Sequence, residues 1–127
     1  MPIPRHRRIL VVEDDANTLF LVRSILQKHF SVTTATEPKT ALDILRYVHH
    51  DLVLTDLHFG HAMPTGIHLL ESIRTIDAYE SLPVIAMSGY ASYGDPDRLM
   101  SLGFAGYISK PFARQDLLKA LAVSPGG

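Results

Sequence analysis

The stretch Arg8-Ile-Leu-Val-Val-Glu-Asp-Asp15 carries four consecutive apolar residues and then three carboxylates. A strand with one face in water would alternate apolar and polar side chains. This run is continuous instead, and it predicts a strand that is buried on both faces. Such strands are typical of a parallel sheet with helices packed on both of its sides.

Short apolar runs alternate with longer amphipathic ones along the rest of the chain. Strands are predicted at residues 8–13, 30–35, 51–56, 82–87 and 105–109. A first helix is predicted at residues 15–28, and a second begins at a Thr36 cap with Pro38 in its first turn. Three more helices are predicted around residues 69–76, at 95–102 and at 114–123. His49-His50 is interpreted as a solvated helix end. Five strand–helix units in strict alternation predict an α/β fold with a doubly wound parallel sheet.

Length and composition limit the classes of protein to which this chain can belong. The 127 residues suit one domain, with an ordered core expected at about residues 7–123. The absence of cysteine excludes disulfides, thiolate zinc sites and cysteine nucleophiles. Apolar runs of at most four residues exclude a membrane span, and a net charge of −1 offers no basic field for nucleic acid. We expect a cytoplasmic protein.

Polar side chains follow four of the predicted strands. They are Glu13-Asp14-Asp15 after the first, Asp56 at the end of the third, Ser88 after the fourth and Lys110 after the fifth. Parallel strands bring their carboxyl ends to one edge, where doubly wound sheets bind ligands. The sequence therefore predicts a site at this edge.

The residue types at this edge indicate phosphoryl chemistry. Neighbouring carboxylates repel one another unless a cation joins them, and oxygen ligands suit Mg²⁺ or Mn²⁺. Lys110 and Ser88 can hold phosphoryl oxygens, and Asp56 can attack phosphorus to form an aspartyl phosphate. Taken singly, each residue could be a helix cap or a solvated charge, and Asp15 is predicted to be a cap.

With these motifs in place, the sequence resembles the receiver domain of bacterial two-component response regulators. The matching segments are Ile9-Leu-Val-Val-Glu-Asp-Asp15, Leu52-Val-Leu-Thr-Asp56, Val84-Ile-Ala-Met-Ser-Gly89 and Gly106-Tyr-Ile-Ser-Lys-Pro-Phe112. The resemblance implies a flavodoxin-like sheet of order 2-1-3-4-5 with five helices. It also implies a signalling phosphoacceptor rather than an enzyme, in which Asp56 takes a phosphoryl group from a partner's phosphohistidine and the domain assists its own phosphorylation and dephosphorylation.

The resemblance also assigns the metal ligands. Asp14 and Asp56 would bind Mg²⁺ directly, Glu13 through water, and His58 through its backbone carbonyl. Glu stands at position 13 where Asp is commoner in the family.

A second group of roles concerns the phosphoryl group and the switch. Lys110 resembles the phosphate-binding lysine, with a cis bond to Pro111. Ser88 resembles the switch hydroxyl and Tyr107 the switch aromatic, which turns inward when the hydroxyl moves. His58 and Tyr90 lie two residues after Asp56 and Ser88, and we hypothesise that their rings slow dephosphorylation.

The loop after Asp56 departs from the family pattern. Met63-Pro64 and Gly66 come later than usual, so the loop is lengthened. His58 and His61 raise the alternative of a transition-metal site, although two loop histidines without a third ligand favour solvated residues.

The implied partners are a histidine kinase or phosphotransfer protein and a downstream protein bound by an output face at about residues 95–123. A phosphorylation-dependent homodimer is left open, as is the choice between a terminal regulator and a phosphorelay intermediate. No output segment follows the last helix, so the chain is either a stand-alone receiver or one excised from a longer protein. Neither nucleic acid nor membrane is expected as a direct partner.

Three rival functions fit the sequence less well than a receiver does. A docking-only pseudo-receiver would not take a phosphoryl group. The joint presence of Asp14, Asp56, Ser88 and Lys110 argues against this alternative. A haloacid-dehalogenase-type phosphatase would want a second Asp where His58 stands, and a nucleophile after the first strand. A flavodoxin-type FMN binder would need a Ser/Thr/Gly-rich loop after the first strand, where this chain has acidic residues.

Overall fold

The computed structural model describes residues 7–58, 65–89 and 96–121. The strands are β1 (Arg7–Val12), β2 (Phe30–Ala35), β3 (Leu52–Asp56), β4 (Val84–Ser88) and β5 (Gly106–Ser109). The helices are α1 (Ala16–Leu26), α2 (Pro38–Tyr47), α3 (Thr65–Arg74), α4 (Pro96–Leu102) and α5 (Arg114–Ala120), with a short 3-10 helix at Asp77–Tyr79. Across these ranges, no helix is long and apolar enough to cross a membrane.

The five strands form one sheet in the order β2-β1-β3-β4-β5, and every neighbouring pair is parallel. This confirms the predicted α/β fold and its strand order. Because all strands run the same way, their carboxyl ends share one edge.

Helices cover both faces of the sheet, as the continuous apolar strands predict. On one face, α2, α3 and α4 pack over strand side chains such as Leu10, Val53 and Val84. On the other face, α1 and α5 pack over side chains such as Ile9, Leu54 and Ile85. Alternate residues of each central strand therefore enter different cores, which is why these strands are mostly apolar, with Thr55 of β3 as a buried polar residue.

Several helix bounds differ from the predictions: α1 ends at Leu26 instead of near residue 28, and α5 ends at Ala120 instead of residue 123. Two further differences concern α2 and α3. Thr36 does not cap α2: the N-cap is Glu37, whose side chain makes no capping hydrogen bond, and Pro38 begins the helix. The third helix ends at Arg74 instead of reaching Ile76, because the amides of Thr75 and Ile76 bond back to Ser72 and Ile73 and tighten the last turn.

The prediction that His50 is solvated is wrong. His49 is exposed, but His50 is fully buried. Its Nδ1 lies 3.0 Å from the Val48 carbonyl, and its Nε2 lies 3.1 Å from Thr33 Oγ1. Its backbone N–H donates to the hydroxyl of Tyr79 at 3.0 Å. These polar partners replace water, so the histidine is buried without an unsatisfied ring nitrogen.

Candidate functional site

The residues that follow the strands are held by extensions of the sheet. The N–H of Glu13 donates to Ala35 O at 3.0 Å, one residue beyond the end of β1. The N–H of Lys110 donates to Ser88 O at 2.8 Å, one residue beyond β5. Both side chains therefore start from rigid backbone at the edge where Asp56 ends β3.

Lys110 joins two of the predicted carboxylates. Its Nζ lies 2.6 Å from Glu13 Oε1 and 3.1 Å from Asp56 Oδ2. Glu13 is fully buried and Asp56 is 6% exposed. Charge pairs this close, inside the protein, fix the ammonium group more firmly than a surface ion pair would.

Burial and charge shift the pKa values of this pair. Burial raises the pKa of Glu13 to about 7, and the Asp56 charge adds to the rise, while hydrogen bonds from Lys110 and the Asp15 amide oppose it. For Lys110, burial disfavours the charged form, but the hydrogen bond and charges of Glu13 and Asp56 outweigh burial and raise its pKa. Lys110 is therefore a permanent cation at neutral pH.

Three carboxylates converge at this edge. Oxygen atoms of Glu13, Asp14 and Asp56 all lie within 4.8 Å of one another. Asp14 is exposed, so its carboxylate can exchange water for an ion. A compact set of oxygen donors fits Mg²⁺ or Mn²⁺ better than softer metals.

Asp15 is a helix cap, as predicted. Its Oδ2 accepts hydrogen bonds from the N–H and Oγ1 of Thr18, at 2.8 and 2.7 Å. The hydroxyl and then the amide of Thr18 lower the pKa of Asp15. Asp15 thus stabilises the start of α1 and does not join the acidic cluster.

His58 is half-buried beside Asp56. Its backbone N–H donates to Asp56 Oδ1 at 3.2 Å, so the two oxygens of this carboxylate face different donors, the amide and Lys110. His61, Met63-Pro64 and Tyr90 lie outside the described residues.

The two predicted switch residues lie on neighbouring strands. Ser88 ends β4 and is 3% exposed. Tyr107 is half-buried on β5, where it packs against the core cluster that includes Leu99 of α4, and its hydroxyl lies 2.6 Å from Ser109 Oγ. The Lys110–Pro111 peptide bond is cis, as the family resemblance implied.

A cavity of about 710 Å³ opens at this edge. Its walls are Asp14, Thr18, Leu21, Asp56, His58, Gly89, Lys110, Pro111 and Phe112. The apolar part, Leu21 with Pro111 and Phe112, was not predicted. Leu21 is 48% exposed and lies off the buried stripe of α1, and an apolar residue in that position is the signal that could have revealed it.

Comparison with known proteins places the chain in a family. The family described as the response regulator receiver domain matches residues 9–122. An uncharacterised 14.6 kDa protein of Leptolyngbya boryana is 34% identical over 114 residues, which is 87% of this chain and 84% of that protein. The polar-differentiation response regulator DivK of Brucella ovis is 29% identical over 108 residues, 84% of this chain and 86% of DivK.

A solved structure shares the fold. It is the receiver domain of a sensor histidine kinase from Pseudomonas aeruginosa, with a magnesium ion coordinated in its active site cleft. It is 23% identical, has a TM-score of 0.77, and the alignment covers 92% of this chain and 98% of that domain. Family match, fold and strand-end residues agree, and this chain belongs to the response regulator receiver domain family.

Proposed function

We propose that this chain is a phosphoacceptor that receives a phosphoryl group on Asp56 from the phosphohistidine of a kinase or phosphotransfer protein. An Asp56 carboxylate oxygen forms a bond to phosphorus, the phosphorus–nitrogen bond breaks, and the histidine imidazole leaves. The observation that carries the proposal is the 3.1 Å contact between Lys110 Nζ and Asp56 Oδ2 at the edge where the acidic residues collect.

The chain's own groups suit the charge of the transferred phosphoryl group. Lys110 offers an ammonium beside the attacking carboxylate, and Ser88 offers a hydroxyl at the end of the neighbouring strand. Phosphoryl transfer depends mainly on positioning and on neutralising charge on the equatorial oxygens. Both residues start from sheet backbone, which limits their movement.

A divalent cation is part of this proposal. Asp14 and Asp56 would hold Mg²⁺, together with the His58 carbonyl and, through water, Glu13; Mn²⁺ would suit the same donors. When bound, the cation supplies positive charge for the phosphoryl oxygens. The spacing of the three carboxylates supports this set, as does the magnesium ion in the Pseudomonas receiver domain.

The apolar wall of the cavity supports a protein as the phosphodonor. Leu21 of α1 and Phe112 line the same cavity as Asp56, so a partner can bury apolar surface while it presents its histidine. Docking of this kind positions the reacting atoms before transfer.

The consequence of phosphorylation would be a shift between two conformations of the output face. Ser88 would turn toward the new phosphoryl group, and Tyr107 would move inward. Met100 and Leu102 of α4 are 52% and 41% exposed, and they offer apolar surface to a downstream protein. The choice of kinase, a phosphorylation-dependent homodimer and a cytoplasmic location stay predictions.

A phosphatase of the haloacid-dehalogenase type fits less well. Asp56 ends the third strand of the chain, and the residue two positions on is His58, which cannot serve as the carboxylic acid that this chemistry wants.

Mass spectrometry of intact protein tests the proposal. The chain is incubated with Mg²⁺ and acetyl phosphate or phosphoramidate, beside Asp56→Asn and, as a control, Asp43→Asn on the exposed side of α2. We expect a phosphoryl adduct in the wild type and in Asp43→Asn, and none in Asp56→Asn. No adduct with either donor would favour the docking-only pseudo-receiver.

A further inference from the structure

Glu13 uses both of its carboxylate oxygens inside the protein. Oε1 accepts from Lys110 Nζ at 2.6 Å, and Oε2 accepts from the Asp15 N–H at 3.1 Å. The residue is fully buried, whereas Asp14 is exposed. A cation that keeps several waters, as Mg²⁺ does, needs ligands that reach solvent, and Asp14 meets that need better than Glu13.

The contact between Glu13 and Lys110 crosses the sheet. β3 and β4 lie between β1 and β5. The two strands that Glu13 and Lys110 follow are therefore three inter-strand distances apart, which is about 14 Å. Both side chains must extend over the end of β3, which carries Asp56. An aspartate at position 13 has one methylene fewer, so its carboxylate would lie about 1.5 Å farther from the ammonium than the glutamate carboxylate does.

We propose that Glu13 is a positioning residue whose main role is to hold Lys110 beside Asp56, while Asp14 and Asp56 supply the carboxylates that bind the metal. The longer side chain of glutamate allows position 13 to hold the lysine while Asp14 and Asp56 bind the metal. In the absence of a phosphoryl group, Glu13 keeps the lysine at the carboxylate that will accept one. The inference rests on the proposed function for its consequence, but its measurement does not require phosphorylation.

The first readout is the accessibility of Lys110 in metal-free protein. Reductive methylation in the presence of EDTA, followed by peptide mass spectrometry, gives the labelling rate of Lys110 relative to Lys119, which is exposed on α5. Two carboxylates hold the wild-type ammonium, so it should label slowly. In Glu13→Asp, we expect the relative rate for Lys110 to rise by at least about threefold, which corresponds to a fall in the activation barrier of at least about 0.65 kcal/mol.

The second readout is the Mg²⁺ dissociation constant, measured by isothermal titration calorimetry. Glu13→Asp keeps the charge of the site, so we expect an affinity within about threefold of the wild type. Asp14→Asn, the matched control, should weaken Mg²⁺ binding by at least about tenfold and leave Lys110 labelling unchanged. If Glu13→Asp does not fold, Glu13→Gln enters the labelling assay with the same expectation for Lys110. Because this variant removes a charge from the site, its Mg²⁺ affinity should fall, but by less than that of Asp14→Asn.

The inference is supported only if both expectations for position 13 hold. Unchanged labelling of Lys110 would overturn it, and so would a loss of Mg²⁺ affinity as large as that of Asp14→Asn. If both expectations hold and yet no phosphoryl adduct forms on the wild type, the proposed function fails while the Glu13–Lys110 relationship stands.

Discussion

The ring of His50 lies 3.1 Å from the hydroxyl of Thr33, although the two residues are 17 positions apart in the chain. The other ring nitrogen, Nδ1, faces the Val48 carbonyl, which can only accept a hydrogen bond. Nδ1 is therefore assigned the proton, and Nε2 accepts from Thr33. The neutral histidine ties the end of α2 to β2, at the edge of the sheet opposite the acidic cluster.

This arrangement predicts a loss of stability in mild acid. Burial lowers the pKa of His50, and the charges of Arg8 and His49 act in the same direction, against the Val48 carbonyl and Asp51. Below about pH 6.5 the unfolded chain gains a proton at this residue that the folded protein resists. The free energy of unfolding should then fall by up to about 1.4 kcal/mol per pH unit from this group, until the folded-state pKa is passed.

This effect is measured as the free energy of unfolding in urea at several pH values between about 7.5 and about 5. His50→Gln should show a shallower decline than the wild type, although it is less stable at neutral pH. His68→Gln, a control at an exposed position of α3, should keep the wild-type slope. A His50→Gln slope equal to that of the wild type would mean that other groups cause the acid dependence.

A second prediction concerns Arg74, which binds three backbone carbonyls. Its guanidinium donates to Leu82 O at 2.7 Å, to Tyr79 O at 3.2 Å and to Gly103 O at 3.3 Å. It thereby connects α3 to the segment before β4 and to the turn that follows α4. Hydrogen bonds from a charged donor contribute about 1.5–3 kcal/mol when the acceptors would otherwise lose their partners.

We expect Arg74→Ala to lower the free energy of unfolding by about 2–3 kcal/mol. Arg46→Ala is the control: among the residues that the structure describes, Arg46 makes only an exposed 3.6 Å pair with Asp43, so its loss should cost less than about 0.5 kcal/mol. Equal losses for the two variants would show that the carbonyl contacts of Arg74 contribute little. Chemical denaturation of both proteins under one set of conditions decides the matter.

The sequence predicts which residues meet at the carboxyl edge of the sheet better than it predicts the side-chain contacts made between distant segments. Asp56 and Lys110 could be placed together because parallel strands force their carboxyl ends to meet, whatever the side chains do. His50 could not be predicted as buried, because its partners Thr33 and Tyr79 come from distant segments and leave no local pattern. The contact between Glu13 and Lys110 leaves no local pattern either, because it depends on side chains that reach across two intervening strands.

A third prediction follows from the close packing of Gly66. A Cβ atom at this position would lie 2.3 Å from the Asp56 carbonyl oxygen and 2.8 Å from Leu57 Cα. Both are backbone atoms of the segment that carries the candidate phosphoacceptor, so they cannot move aside like the end of a flexible side chain. The start of α3 would have to retreat from Asp56, with a cost of at least about 1–3 kcal/mol.

Gly66→Ala should therefore lower the denaturation midpoint and also slow phosphorylation from acetyl phosphate. Gly89→Ala is the stability control, because within the described part of the chain its Cβ would meet nothing closer than Lys110 Cβ at 3.9 Å. If Gly66→Ala were as stable as Gly89→Ala, α3 would have to move freely relative to β3, contrary to the Gly66 N–H bond to Leu57 O at 3.2 Å.

The last prediction concerns the lifetime of the phosphoryl group on Asp56. His58 follows Asp56 by two residues and lines the cavity, and Tyr90, outside the described residues, follows Ser88 by two. Hydrolysis of an acyl phosphate requires a water molecule in line with the scissile bond, and bulky rings at the opening would hinder its approach. Removing both rings in His58→Ala/Tyr90→Ala should shorten the lifetime by at least about threefold.

Decay of the intact-mass adduct, after removal of the donor at constant pH and Mg²⁺, gives that lifetime. The single variants show whether one ring is sufficient, and His68→Ala on the exposed face of α3 should decay like the wild type. An unchanged lifetime in the double variant would contradict the hypothesis. A longer lifetime would contradict it more strongly, because it would mean that the rings assist the attacking water instead of excluding it.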